Sequence, residues 1–227
     1  MKDIVFGLNP YGLTYHLGLQ GMGGPRANPQ GGGLPSFLAL GRELGAKAME
    51  IFDPWLRAMS DAPLAALRAR LDEERVTPIV SWGLTMGPFE SALTTIRCGL
   101  TSVLCGDRAA LAIENHQDFA SEELVGFRET IRGVGICVDA GNTFPVVEAP
   151  MDFYARVAPH VRHVHLKDCR VQFTDEGFGL VRCAIGGGAV PVAAMLDLFQ
   201  AHRPRLTAVL EPGALEARHV RFLNPDW

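Results

Sequence analysis

The sequence contains no cluster of lysine or arginine: 21 basic residues are scattered among 25 acidic ones, and the formal net charge is -4. Without a basic footprint, binding to nucleic acid or to an anionic membrane surface is not expected. It also lacks any apolar run near the roughly 20 residues of a membrane span, and the apolar part of "MKDIVFGLNP" is too short for a secretory leader. A soluble, cytoplasmic protein is therefore expected. The five cysteines (Cys98, Cys105, Cys137, Cys169, Cys183) are odd in number and form no C-x-x-C pair. Reduced core thiols fit that pattern better than a disulfide framework. The glycine-rich "GMGGPRANPQGGG" (21–33) has no Gly-Lys-Ser/Thr, so it is not a P-loop, and no dinucleotide fingerprint follows a strand. It reads either as a mobile lid over an active face or as simple disorder.

What is present suits one large domain over residues 1–227, with 48% hydrophobic residues to fill its core. Short apolar runs alternate with amphipathic ones, the pattern of repeated βα units. Strands are expected over 3–9, 47–52, 77–83, 109–116, 134–140, 161–167 and 206–212, with a weaker eighth over 96–104. Helices are expected over 34–45, 62–75, 121–131, 151–158 and 190–202. Asp61 is the expected N-cap of the second helix, and Ser121 opens the third with an acidic first turn. Eight such units make a (β/α)8 TIM barrel. Because "CGDRAA" (105–110) is too short for a parallel crossover, either the barrel is incomplete with a helix missing around 97–110, by natural shortening or by loss of residues from the sequence, or 96–104 is not a barrel strand. The stretch 88–96 is also short for a barrel helix.

Side chains alternate faces along a strand, so residues two apart share a side. In "HVHLKD" (163–168), His163, His165 and Lys167 share one face, while Val164, Leu166 and Asp168 share the other. If the apolar face meets the helices, the titratable set points into the barrel, and Asp168 is an outward or rim carboxylate. The same parity in "AIENH", "GICVD" and "TAVLE" turns Glu114, Asp139 and Glu211 inward near strand C-termini, where barrel enzymes build their sites. Three carboxylates and an imidazole converging there would repel one another without a cation, and a divalent metal resolves the conflict. An oxygen-rich set with one histidine favours Mn2+ or Mg2+ over Co2+ or Zn2+ and excludes an iron–sulfur cluster. The competing structural readings are a buried ion pair for Glu114 and Glu211, a turn cap for Asp139 and a satisfied core histidine for His165.

"AIENHQDF", "VDAGNTF", "HVHLKD", "AIGGGAV" and "LEPG", in this order through the C-terminal half, resemble the sugar phosphate isomerase/epimerase superfamily of xylose-isomerase-like barrels. The resemblance implies a metal held by Glu114, Asp139, His165 and Glu211. It also implies a metal-dependent isomerase or epimerase acting on a small keto sugar or sugar acid through an enediolate, with Glu114 and Glu211 as the acid/base pair. "HVHLKD" is similar to the corresponding stretch of inosose dehydratases, which keeps a lyase of an oxo sugar acid, by dehydration or decarboxylation, as the alternative. A non-catalytic sugar- or metal-binding barrel is the reading from another class. A homo-oligomer is a further expectation of the resemblance. The endonuclease IV branch is disfavoured, because "SWG" ends the third strand without histidine.

His116, Lys167, Arg170 and Asn142 are the expected substrate-binding residues, with a loop histidine and a salt-bridged lysine as the alternatives for the first two. His163, deeper in its strand, is expected to make a structural hydrogen bond. Arg170 and Arg182 are either anion clamps or solvated surface arginines. The amides of "AIGGGAV" (184–190) either bind an anion or form a flexible turn.

Overall fold

The computed structural model describes residues 3–19, 28–81, 111–211 and 218–223. The strand expected over 96–104, the short helix over 88–96, the gap around 97–110 and most of the 21–33 loop lie outside the described residues. Two compact units are present, Phe6–Ala109 and Met1–Val5 with Ala110–Trp227. The first strand, β1 (Ile4–Leu8), contributes residues to both.

In the Phe6–Ala109 unit, α1 (Gly33–Glu43) leads to β2 (Ala48–Phe52), the short α2 (Asp53–Arg57), α3 (Asp61–Glu73) and β3 (Thr77–Ser81). β2 is parallel to both β1 and β3. Leu64, Leu67 and Leu71 recur at helical spacing on α3 and close over Met49 and Ile51 of β2, together with Phe37 and Leu38 of α1. Glu50, between those two strand residues, takes the opposite face, and its Oε2 accepts a hydrogen bond from Asn9 Nδ2 at 3.0 Å. The N-cap of α3 is Ser60, with Asp61 already in the first turn, one residue earlier than the sequence suggested.

The other unit begins with β4 (Leu111–Glu114), α4 (Ser121–Thr130), β5 (Val134–Asp139), α5 (Pro150–Val157) and β6 (Val161–Leu166). Then come β7 (Asp168–Thr174), β8 (Gly177–Cys183), α6 (Val192–His202), β9 (Leu206–Leu210) and β10 (Arg218–Val220). Four strands run parallel in the order β9-β6-β5-β4. Their outward residues Ile136, Val138, Val164, Leu166 and Ala208 form a core with Leu124 of α4, Phe153, Tyr154 and Val157 of α5, and Met195, Leu196 and Phe199 of α6. Pro150 suits the start of α5, where its missing N–H costs nothing. The N-cap of α4 is Ala120 rather than Ser121; this places Glu123 at the third helical position, where its carboxylate accepts the Ala120 N–H at 2.8 Å. Ser121 instead gives its N–H and hydroxyl to Glu148.

Among the described residues, seven parallel-sheet strands alternate with helices in the order of a (β/α)8 barrel. The antiparallel sheet β10-β8-β7 was not expected. Its hairpin turns through Asp175 and Glu176, with Thr174 opposite Gly177. No helix of the described residues is long and apolar enough to cross a membrane.

Candidate metal centre

Parity along the strands is obeyed on the face opposite the helical core. Glu114 ends β4, Asp139 ends β5, His165 lies one residue before the end of β6, and Glu211 follows β9 directly. The parallel register sets Asp139 opposite His165, and His165 opposite Val209, two residues before Glu211. One donor atom from each of Glu114, Asp139, His165 and Glu211 falls within 4.8 Å of every other. His165 Nδ1 stands 2.7 Å from Glu211 Oε2 and 3.5 Å from Glu114 Oε1. Asp139, His165 and Glu211 are buried, whereas the Glu114 side chain keeps 37% of its exposure.

Lys167 belongs to this cluster. Its Nζ contacts Asp139 Oδ2 and lies 3.0 Å from Glu211 Oε1. Burial alone would lower the lysine pKa, but the charges of Asp139 and Glu211 outweigh it and hold the group above its usual value. Burial likewise works to raise Glu211, yet the His165 hydrogen bond and the Lys167 charge hold it below the ordinary carboxylate range. For Asp139 burial prevails over Lys167, and its pKa is pushed up to about 7.

Asp139 is held by neighbours that also fix the loop after β5. Its Oδ1 accepts the Gly141 N–H at 3.1 Å, and its Oδ2 accepts Asn142 Nδ2 at 2.6 Å. Asn142 Nδ2 also donates to the Asn115 carbonyl at 3.0 Å, while its Oδ1 accepts Gln117 Nε2 at 2.9 Å. Both amide hydrogens of Asn142 are thus engaged within the protein, and in this conformation the side chain orients Asp139 rather than offering a donor to substrate. Asn115, which sequence parity turned outward, is 1% exposed and clamps the end of β5. Its Oδ1 accepts the Asp139 N–H at 2.7 Å and its Nδ2 donates to the Asp139 carbonyl at 3.1 Å. The only sequence signal was an asparagine placed directly after the inward Glu114.

The remaining expected residues are spread more widely. His116 lies past the end of β4 and is exposed. Arg170 is exposed on β7, its Nε donating to the Gly187 carbonyl at 3.3 Å. His163 makes the expected hydrogen bond, from Nδ1 to the Thr207 carbonyl at 3.0 Å. Asp168 is not a rim group but is 2% exposed, and its carboxylate accepts the N–H groups of Cys169, Gly186, Gly188 and Val190 at 2.8 to 3.1 Å. Three of these amides belong to "AIGGGAV", so an internal carboxylate takes the position considered for an external anion.

Three carboxylates and one imidazole in such proximity make a donor set that fits a hard or borderline divalent ion. No family model matches the sequence. An uncharacterized Escherichia coli protein, YihM, is 33% identical over 86 residues, which are 37% of this chain and 26% of the relative's length. The chain is also similar to a xylose isomerase-like TIM barrel protein of Mycobacterium smegmatis in complex with magnesium, with a TM-score of 0.57 and 17% identity, over 78% of this chain and 80% of that one. The probable 3-DHS dehydratase AsbF of Bacillus anthracis gives a TM-score of 0.57 at 12% identity, over 78% and 86% of the two chains. D-Psicose 3-epimerase of Clostridium cellulolyticum, solved with D-tagatose, gives 0.54 at 14% identity, over 78% of each. Conserved architecture at such low identity speaks for the fold, and the chain has the fold of the xylose-isomerase-like TIM barrels.

Proposed function

We propose that the protein is a divalent-metal-dependent isomerase or epimerase of a small keto sugar or sugar acid, with the metal held by Glu114, Asp139, His165 and Glu211. The observation that carries this is the convergence of their four donor atoms within 4.8 Å at the ends of four adjacent parallel strands. Likeness in fold to D-psicose 3-epimerase supports the substrate class. Mn2+ or Mg2+ suits the oxygen-rich set, and one structural neighbour holds magnesium. The chemistry a bound divalent ion supplies is polarisation of the substrate carbonyl and compensation of the negative charge that grows on its oxygen.

The two glutamates then divide the proton work unequally. Glu211 has both oxygens engaged, one by His165 and one by Lys167, so it is rigid and weakly basic. Glu114 touches His165 through Oε1 alone at 3.5 Å, and its Oε2 has no partner among the described residues. Glu114 is therefore the carboxylate able to take a proton from the carbon beside the carbonyl, and Glu211 faces the same centre as the second proton-transfer group. Lys167, kept charged by its two acidic neighbours, adds a fixed positive group beside the developing oxyanion.

Metal analysis combined with a panel of keto sugars and sugar acids in D2O tests this. Deuterium uptake at carbon with unchanged molecular connectivity is the expected result. Loss of water or CO2 would assign the lyase chemistry instead, and metal binding without turnover of any member would make the protein a binding barrel.

A further inference from the structure

One inward layer earlier along the same strands, Cys137 and His163 join His165 in a second cluster of potential donor groups with different chemistry. Cys137 precedes Asp139 by two residues on β5, His163 precedes His165 by two on β6, and the register sets Cys137 opposite His163. Donor atoms of Cys137, His163 and His165 all fall within 4.8 Å of one another. The three residues are 7%, 8% and 4% exposed, and the two imidazoles meet edge to face with centroids 5.2 Å apart.

We propose that Cys137, His163 and His165 form a thiophilic metal site, for Zn2+ or an ion of similar softness, that competes with the carboxylate centre for His165. Hydrogen bonding prepares the ligand nitrogen of His163. A carbonyl oxygen can only accept, so the contact from Nδ1 to the Thr207 carbonyl at 3.0 Å puts the ring proton on Nδ1 and the lone pair on Nε2. Metal-binding histidines are commonly oriented in this way, the second ring nitrogen donating to a carbonyl. One sulfur and two imidazole nitrogens select zinc over magnesium or manganese, as three carboxylates do the reverse. Ligands about 2.0 to 2.3 Å from a zinc ion stand roughly 3.5 Å apart, so side-chain adjustments on the order of 1 Å close the site. Binding exchanges the Cys137 thiol proton for the metal and releases that proton to solvent.

The competition follows from His165 belonging to both sets. A neutral imidazole has one lone-pair nitrogen, so it serves one ion at a time. Only this competition rests on the proposed role of His165 in the carboxylate centre; the soft site stands without it.

Titrating the chelator-treated full chain with Co2+ tests the site directly. A near-ultraviolet thiolate-to-cobalt charge-transfer band is expected. It should vanish in Cys137→Ser, weaken in affinity by at least about tenfold in His163→Gln, and persist in Glu211→Gln. His163→Gln keeps the thiol and serves if the serine variant fails to fold. In the native protein, Cd2+ should release bound Mn2+, followed by its paramagnetic resonance signal. Absence of the band, or its full retention in folded Cys137→Ser or His163→Gln protein, overturns the site. A band without any Mn2+ binding would instead sink the carboxylate centre and leave the soft site intact.

Discussion

Lys167 Nζ lies 3.0 Å from Glu211 Oε1, inside the group of oxygens proposed to hold the metal. A positive charge there makes three neighbouring carboxylates tolerable to the apoprotein, because each buried charge needs a partner. Lys167→Met keeps the length of the side chain and removes the charge. In chelator it should destabilise the fold by about 3 to 5 kcal/mol, the usual cost of orphaning a buried ion-pair partner. Added Mn2+ should recover much of that loss, since the cation then supplies the missing charge. Urea denaturation with chelator and with Mn2+ measures the difference; equal losses in both would show that Lys167 and the metal do not share the same carboxylates.

The raised pKa of Asp139 gives metal binding a pH dependence of definite sign. The carboxyl is raised from 3.8 to about 7, chiefly by burial and against the pull of Lys167. In the apoprotein the folded state therefore binds this proton more tightly than the unfolded chain. The group's contribution to stability is full below 3.8, declines between 3.8 and about 7, and is lost above. A metal must displace that proton, so apparent affinity should rise about tenfold per pH unit up to about 7 and flatten beyond it. Calorimetric Mn2+ titrations from about pH 6 to about pH 8 provide the check. A flat profile across that interval would place Asp139 outside the ligand set.

Glu114 and Glu211 should respond differently to the same substitution. Glu114→Gln removes a half-exposed carboxylate with one long contact, so the fold should be little affected and three metal donors remain. Turnover should nevertheless fall by about 10^2 to 10^4, the range for loss of a general base. Glu211→Gln replaces a carboxylate bonded to both His165 and Lys167, so it should also weaken metal binding and lower stability. Turnover, metal affinity and denaturation midpoints for the two variants separate these outcomes. Full activity with metal retained in both would eliminate the acid/base pair.

The parallel strands and the convergence of Glu114, Asp139, His165 and Glu211 were legible because both depend on local regularities. Alternation put Ile136 and Val138 on one face of β5 and Cys137 and Asp139 on the other, and the buried core follows that division. Parity still held at Glu211, one residue past β9, but it gave no guide to the loop after β4. Asn115 and His116 follow β4, and it is Asn115 that turns back to clamp Asp139, while His116 is exposed. Gln117, at a φ of 99°, lies in a region that non-glycine residues seldom occupy, which no periodicity could announce. The hairpin of β7 and β8 was missed for another reason. A helix-bearing crossover was expected after β6, and Arg170 and Arg182 were weighed there as anion clamps rather than as residues of an antiparallel strand pair.

Asp168 supplies a test of how the loop before α6 is held. Its two oxygens accept four backbone N–H groups, Cys169 and Val190 on Oδ1, Gly186 and Gly188 on Oδ2. Hydrogen bonds from amides to a charged acceptor are stronger than neutral ones, and the Asp168 carboxylate that accepts these is buried. Asp168→Asn is nearly isosteric, but it turns one oxygen into an NH2 donor that faces amide donors and removes the charge that the remaining bonds favoured. The expected cost is about 3 kcal/mol, comparable to leaving one or two buried donors unsatisfied. Residues 184–190 should also exchange their amide hydrogens faster, because opening that loop would no longer break charged contacts. Denaturation curves and hydrogen exchange, read together, distinguish this from general weakening: protection should fall first at Gly186, Gly188 and Val190. Uniform loss across β5 and β6 instead would mean that Asp168 supports the sheet and not the loop.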